Sequence, residues 1–418
     1  MLQSTVRGDS RNDNSHMKFL SIHLLIIGLC VPAHSAALTL VQAERLAAKH
    51  HPLIAEAVAK WNAAEHRAVQ AGLRPNPNLV ARTEGIPLNG NPQNGDFLVG
   101  VTQRIRLNQT GRLSKKVAEA QRDQAALSFT TAERKVREDV RGAFATALYA
   151  QVSEHLFLER IDILRTNASL VKALVAAGDL VAEASEVAHA DLDHEELDLA
   201  EARALKFRSF AALAAAIGRT NLVIRRVDGE LSTNLALDDL LRASGVLDEL
   251  PALLAAGSSA KAKELQARLA RASRVPALNL GLMYRRQQRS RRNTIDIEAA
   301  ISLPLFDSKE SAAKAFEDDA KAARAKAAQL RQTAAAALTK LQSELKSALN
   351  RATHIRDEIL PHQQKILDRR RALFEAGETS RLDYEAAKLK FTEERRHYLE
   401  FLHEAHRLWA QLTPFLSE

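Results

Sequence analysis

The sequence predicts a mainly helical fold with a small β part, built as two copies of one unit. Three observations predict it: helix-breaking residues that recur at one spacing, long proline-free stretches with helical periodicity, and two pairs of short alternating segments.

The repeat comes first because it organises everything else. Pro52 in HHPLIAEA matches Pro251 in ELPALLAA, and Pro77 in RPNPNL matches Pro276 in RVPALNL. Asn108 in IRLNQTG matches Asp307 in PLFDSKE, and Gly178 in VAAGDL matches Gly377 in FEAGET. Each pair is 199 residues apart (251 against 52, 276 against 77, 307 against 108, 377 against 178). One matched proline would mean nothing, but four breakers in one register with similar flanks imply duplication. The repeats are expected at 37–218 and 237–418, with a linker at 219–236 whose NLVIRRV could add a small strand.

Residues 1–36 read as a secretory leader. Met17 and Lys18 open a positive stretch, Phe19 to Leu29 is apolar, and Pro32 precedes the small-x-small pattern Ala33-His34-Ser35. Translation could start at Met17, with the mature chain beginning near Ala36 or Ala37. The single cysteine, Cys30, allows no intrachain disulfide, and Leu29 before it is larger than a lipoprotein signal prefers. No later run of 18 apolar residues occurs, so any membrane crossing must use a β-barrel.

Each repeat opens with a helix, and Thr39 with Gln42 forms a capping-box pattern at the first. Strands are expected at about 77–84 and 96–106, and again at about 277–285 and 294–304. In the second pair Leu278, Leu280, Leu282 and Tyr284 alternate with Asn279, Gly281, Met283 and Arg285. Ile295, Ile297, Ala299, Ile301 and Leu303 then alternate with Asp296, Glu298, Ala300 and Ser302. Period-two alternation gives one apolar and one polar face, so Asn279, Met283, Asp296 and Glu298 are candidates to face a lumen. Phe97, Val99 and Val101 against Leu98, Gly100 and Thr102 give a weaker version of the pattern. Four strands cannot close a barrel, and open edges do not survive in lipid. Three chains would supply twelve strands, within the known barrel range.

The long helical stretch from Thr110 to Ala177 has no proline and, after Gly111, only Gly142 as a glycine. At 1.5 Å per residue it would reach about 100 Å. Apolar positions recur at helical spacing and are often alanine, which lets helices approach closely along a seam. The stretch turns at Gly178, and its counterpart turns at Gly377.

Across 418 residues, 46% are hydrophobic and 26% charged, which excludes a disordered chain. The net charge of +8 is spread over both signs along the chain, as on solvated helix faces, and no nucleic-acid motif accompanies it. The loop RRQQRSRRN at 285–293 is the exception; on an outer surface it could meet lipopolysaccharide phosphates or simply be solvated.

At this point the chain resembles the TolC-type outer membrane factor (outer membrane efflux protein) family. The carriers are AGLRPNPNL before the first strand, SLPLFDSKESAAKAFEDDAKAA after the last, and the tips LVAAGDLVAEASEVAHADL and LFEAGETSRLDYEAAKLKF. The resemblance covers the mature chain through the order and spacing of these segments. It implies a homotrimer with a twelve-stranded barrel in the outer membrane of a Gram-negative cell and a periplasmic α-barrel. It also implies passive conduction, with no enzymatic activity and no cofactor, in partnership with a periplasmic adaptor and an inner-membrane RND-type pump.

The resemblance also gives the tips a gating role. Asp383 matches a gate aspartate, Phe374 an aromatic three residues before the tip glycine, and Thr379 the place of a basic residue, with Arg381 nearby. Ala184 and Ala386 stand where family members carry acidic residues, so Glu183, Glu186 and Arg381 are the alternative polar set. Asp383 also reads as a first-turn residue favoured by the helix dipole.

The nearest branch by look is heavy-metal efflux of the cobalt–zinc–cadmium and nickel type. Multidrug efflux, type I protein secretion and a soluble periplasmic coiled-coil scaffold remain the alternatives. His189 and Asp193, near His194 and Glu195, have an i,i+4 spacing that can bind metal, as do His403 and His406 at i,i+3; solvated helix histidines are the commoner case. HEAH at 403–406 is not zinc-protease spacing, and no nucleophile–base set or phosphate loop is present.

Overall fold

The computed structural model describes residues 37–86, 95–235 and 247–415, so the expected leader lies outside the described residues. Strand β1 (Leu38–Thr39) leads into helices α1 (Leu40–His50) and α2 (Pro52–Gly72), then strands β2 (Asn78–Glu84) and β3 (Asp96–Arg106). Helix α3 (Thr110–Ala177) turns at Gly178 into α4 (Ala182–Ala216), and β4 (Val227–Asp228) lies in the linker. The second half runs α5 (Pro251–Ala272), β5 (Ala277–Arg286), β6 (Asn293–Ile301), α6 (Glu310–His354), a π turn (Ile355–Ile359), α7 (Leu360–Glu375) and α8 (Arg381–Leu412).

The duplicated breakers perform matching jobs. Pro52 and Pro251 each begin a helix, where a missing N–H costs nothing. Pro77 and Pro276 each sit just before a strand. Asn108 Oδ1 accepts the Thr110 N–H at 3.0 Å, and Asp307 Oδ1 accepts the Lys309 N–H at 3.0 Å, the same side-chain turn ahead of α3 and α6. Asn108 also donates to the carbonyls of Ala272 and Val275, at 2.6 and 2.9 Å, which ties the first repeat's turn to the second repeat.

Two turns are closed by glycine for a backbone reason. Gly178 and Gly377 lie at φ +86° and +76°, and nothing stands within 4 Å of a Cβ at either. Conformation, not space, requires glycine there. Both turns have the paired bonds of the Schellman motif: Gly178 N–H to Val175 O and Asp179 N–H to Leu174 O, then Gly377 N–H to Phe374 O and Glu378 N–H to Leu373 O.

Helix α3 is one unbroken helix of 68 residues. Its central stretch buries Val136, Val140, Phe144, Ala147 and Leu148 against Leu213 and Ile217 of the first repeat and Leu399 and Leu402 of the second. Alanines such as Ala147 and Ala150 are wholly buried, as close helix seams require. The capping box at Thr39 and Gln42 is present in both directions.

Strand β4 pairs parallel with β1, Leu38 opposite Val227. The Gln151 side-chain amide completes it, donating to Val227 O and accepting the Val227 N–H, both at 3.0 Å.

Two features differ from expectation. The second long helix is not interrupted only at its glycine, because a π turn precedes Pro361. Proline supplies no N–H to the ladder, and the Leu360 N–H reaches back to Ile355 O, one residue further than in an α-helix. Strand β6 spans 293–301, short of the expected 304; Pro304 removes a donor, and Leu303 and Leu305 are exposed.

Candidate functional site

The sheet orders β2-β3-β5-β6, antiparallel throughout, with β2 and β6 as edges. Both strands of each hairpin leave the sheet toward helices at one end, and the paired ends Glu84 with Asp96 and Arg286 with Asn293 lie at the other. Cross-strand partners share a face. Met283 opposes Gly100 and Asp296, Gly281 opposes Glu298, and Asn279 opposes Arg104. Asn279, Met283, Asp296 and Glu298 therefore share one face of the sheet.

That face is ionic toward the hairpin end. Arg285 reaches Asp296 at 2.7 Å, Glu84 at 3.0 Å and Asp96 at 3.3 Å. Arg82 pairs with Glu84 at 2.8 Å and lies 4.0 Å from Glu298. Four carboxylates thus surround two guanidiniums. Toward the helix end the same face bears Arg104 and Arg106, which line a cavity with Asn108, Arg274 and Asp307. Beneath the ions Leu98 and Met283 are 0% and 3% exposed. The opposite face is apolar and open: Leu79, Phe97, Val101, Leu282, Tyr284, Ile295 and Ile297 are all exposed, Ile297 by 81%.

The second site is at the tips. Asp383 lies in the first turn of α8, where Ser380 caps the helix by accepting the Asp383 N–H at 3.1 Å. Its carboxylate accepts from the Ser380 hydroxyl at 2.7 Å and the Thr379 hydroxyl at 3.0 Å. Those hydroxyls, with Arg370 further off, hold the carboxyl below its ordinary range. Phe374 stacks on Tyr384 with centroids 5.8 Å apart, bracing the two helices of the tip.

Arg381 lies 3.7 Å from Glu385, a carboxylate only 2% exposed that also pairs with Lys388 at 3.0 Å. Within the chain Arg381 is therefore joined to Glu385; Glu183 and Glu186 are exposed on α4. Sequence reasoning did not single out Glu385. Its i,i+4 and i,i+3 spacing to Arg381 and Lys388 was the available signal.

A larger polar junction was also missed. Arg160 of α3 forms a bidentate pair with buried Glu195 of α4, at 2.6 and 3.0 Å, and reaches Glu393 of α8 at 3.0 Å. Residues this distant in sequence carry no spacing signal.

The three candidate histidines each meet a protein group. His189 Nδ1 lies 2.6 Å from the Ser185 carbonyl of its own helix, and no group of three or more metal-ligating side chains occurs among the described residues. His403 packs flat on Tyr149 at 4.4 Å and lies 3.1 Å from the Thr146 hydroxyl; burial, then Arg407, pushes its pKa down to about 4. His406 Nε2 lies 3.0 Å from both the N–H and the carbonyl of Ser232, and burial lowers its pKa too.

A duplicated helical chain whose sheet has one ionic and one open apolar face invites comparison with known channels. The model of the family described as "Outer membrane efflux protein" matches this chain twice, over residues 44–219 and 243–417. The chain belongs to the outer membrane efflux protein family. The paired matches coincide with the two structural repeats, and membership places the efflux protein among outer-membrane channels with a periplasmic extension, not among enzymes.

The efflux protein is 24% identical to the cobalt-zinc-cadmium resistance protein CzcC of Cupriavidus metallidurans, over 91% of this chain and 90% of that one. Its fold is similar to the outer membrane protein VceC of Vibrio cholerae, with a TM-score of 0.71, 17% identity, and 90% and 95% of the two chains covered. It is similar also to the open state of the MtrE outer membrane channel of Neisseria gonorrhoeae, at TM-score 0.65, 18% identity and coverage of 90% and 88%.

Proposed function

We propose that three copies of this efflux protein close a twelve-stranded barrel in the outer membrane and conduct heavy-metal cations from the periplasm to the exterior. A periplasmic adaptor and an inner-membrane RND-type pump supply the energy. The observation that carries the duct is the sheet itself, with two open edges and an apolar face left bare. An edge in hydrocarbon leaves backbone donors and acceptors unmet, and closure through neighbouring copies satisfies all of them.

In this reading the ionic face lines the lumen, with Asn279, Met283, Asp296 and Glu298 on it. Around Arg82 and Arg285 four carboxylates outnumber two guanidiniums, which favours cations at that level of the lumen. The tips at Gly178 and Gly377 form the periplasmic constriction, with Asp383 as its acidic ring and Phe374, Thr379, Arg381, Glu183 and Glu186 around it. Heavy-metal cargo rests on the likeness to CzcC along most of both chains.

Deletion in the native host tests the cargo. The deletion strain is expected to become sensitive to cobalt, zinc, cadmium or nickel salts and to recover on complementation. Sensitivity to detergents and dyes with unchanged metal tolerance would overturn the metal reading and leave a multidrug duct.

A further inference from the structure

The β5–β6 turn carries Arg285, Arg286, Arg289, Arg291 and Arg292, with no acidic residue from 285 to 292. Arg285 is neutralised by Glu84, Asp96 and Asp296 on the ionic face. The other four are exposed, and among the described residues none has a carboxylate at salt-bridge distance. The turn that presents them is ordered. The Gln287 N–H donates to Arg292 O at 2.9 Å, the Ser290 hydroxyl donates to Gln287 Oε1 at 2.6 Å, and Arg291 takes a left-handed φ of 56°.

Register fixes where this charge points. Arg286 opposes Phe97 and Asn293, so it lies on the apolar face with Leu282 and Tyr284, on the other side from Arg285. Along that face the order is Leu282, then Tyr284, then Arg286, apolar to aromatic to cationic. That is the order of a strand passing from hydrocarbon through the interface to headgroups. The turn also lies at the sheet end remote from the helices.

We propose that Arg286, Arg289, Arg291 and Arg292 form a binding site for the phosphates of anionic lipid headgroups in the outer leaflet. The inference rests on reading the sheet as part of a membrane barrel. Guanidinium pairs bidentately with phosphate, and four like charges in one turn gain most from a partner of concentrated opposite charge. Three copies would place such a cluster at three points around the barrel rim.

The test uses the full mature protein, purified in detergent, and a variant carrying Arg286→Gln, Arg289→Gln, Arg291→Gln and Arg292→Gln. Binding is measured by native mass spectrometry with bis-phosphorylated lipid A, dephosphorylated lipid A and inorganic phosphate. The parent is expected to retain bis-phosphorylated lipid A at least about tenfold more tightly than either the variant or the dephosphorylated lipid. Equal binding by parent and variant, or indifference to the lipid's phosphates, would overturn the site. Inorganic phosphate that binds as tightly as the lipid would overturn the lipid as its source. Carbonate extraction of both proteins separates the two claims: retention in the membrane without phosphate-dependent binding sinks this inference alone. Release of the parent by carbonate sinks the barrel reading and the site with it.

Discussion

Met283 covers Gly100 so closely that a Cβ on the glycine would stand 2.7 Å from the methionine Cγ and against the Leu282 carbonyl. The two are register partners on the ionic face of the sheet. The close approach lets β3 and β5, which come from different repeats, pack without a gap. Gly100→Val is expected to force the strands apart and destabilise the sheet by about 2 kcal/mol or more. Cold SDS gels read this directly: the variant should lose the heat-modifiable folded band that the parent retains, and an unchanged band would refute the packing argument.

Arg160 joins three helices from both repeats through Glu195 and Glu393. Arg160→Met leaves Glu195 buried without its cation, an error expected to cost about 3 kcal/mol. Glu393 suffers less, because it also pairs with Arg396. Combining Arg160→Met with Glu195→Leu removes the stranded charge and should recover most of the loss. Thermal melting of the single and double variants checks this, and equal melting of the two would mean that the stranded charge is not the cause.

His403 makes stability depend on pH with a definite sign. Its ordinary pKa of 6.5 falls to about 4 in the fold, so between those values the unfolded chain binds the extra proton. The contribution is complete above pH 6.5 and is lost as pH falls toward 4. His406, lowered by burial as well, acts in the same direction. Urea melts at pH 7.5, 5.5 and 4.5 should show a steeper acid loss for the parent than for His403→Gln; parallel curves would contradict the assignment.

The tip glycines should each be sensitive to a methyl group. Gly178→Ala and Gly377→Ala place a side chain at positive φ, at a cost of roughly 1 kcal/mol each. Gly377→Asn should cost less, since asparagine tolerates that conformation better. Hydrogen exchange at the amides of Asp179 and Glu378, which close the two turns, measures the local effect.

Asp383 is a first-turn capping partner in a single chain and, in the proposed trimer, an acidic ring. Its carboxylate, held low by Ser380 and Thr379, remains charged throughout the neutral range. Asp383→Asn should therefore reduce cation selectivity in planar bilayers while leaving the helix start in place, because the Ser380 cap on the residue-383 N–H does not depend on the carboxylate. Unchanged conductance and selectivity would remove Asp383 from the constriction.

The duplication and the strands were legible because period and register are local signals. Pro52, Asn108 and Gly178 announce turns through their own backbone chemistry, and their partners at Pro251, Asp307 and Gly377 repeat it. The alternation from Leu278 to Ile301 sorts the sheet faces without any tertiary information. Gly100 against Met283 and Arg160 against Glu195 and Glu393 were not legible, because such pairs exist only after the chain has folded back on itself. The π turn was missed for a different reason: Pro361 was visible, but whether a proline ends a helix or shifts its hydrogen bonds depends on the packing around it. At the tip, Arg381 pairs with Glu385, where its i,i+4 spacing puts it.

Closure of the sheet by neighbouring copies tests the central claim most directly. The one native cysteine, Cys30, lies in the expected leader, so introduced cysteines in the mature chain would report alone. Ala81→Cys on β2 and Ala299→Cys on β6 place thiols on the apolar face of the two open edges. Treated in outer membranes with a short bis-maleimide, the double variant should give a covalent ladder that ends at three chains, and each single variant should give none. A ladder that stays at one chain, or one that continues past three, would contradict a closed trimeric duct.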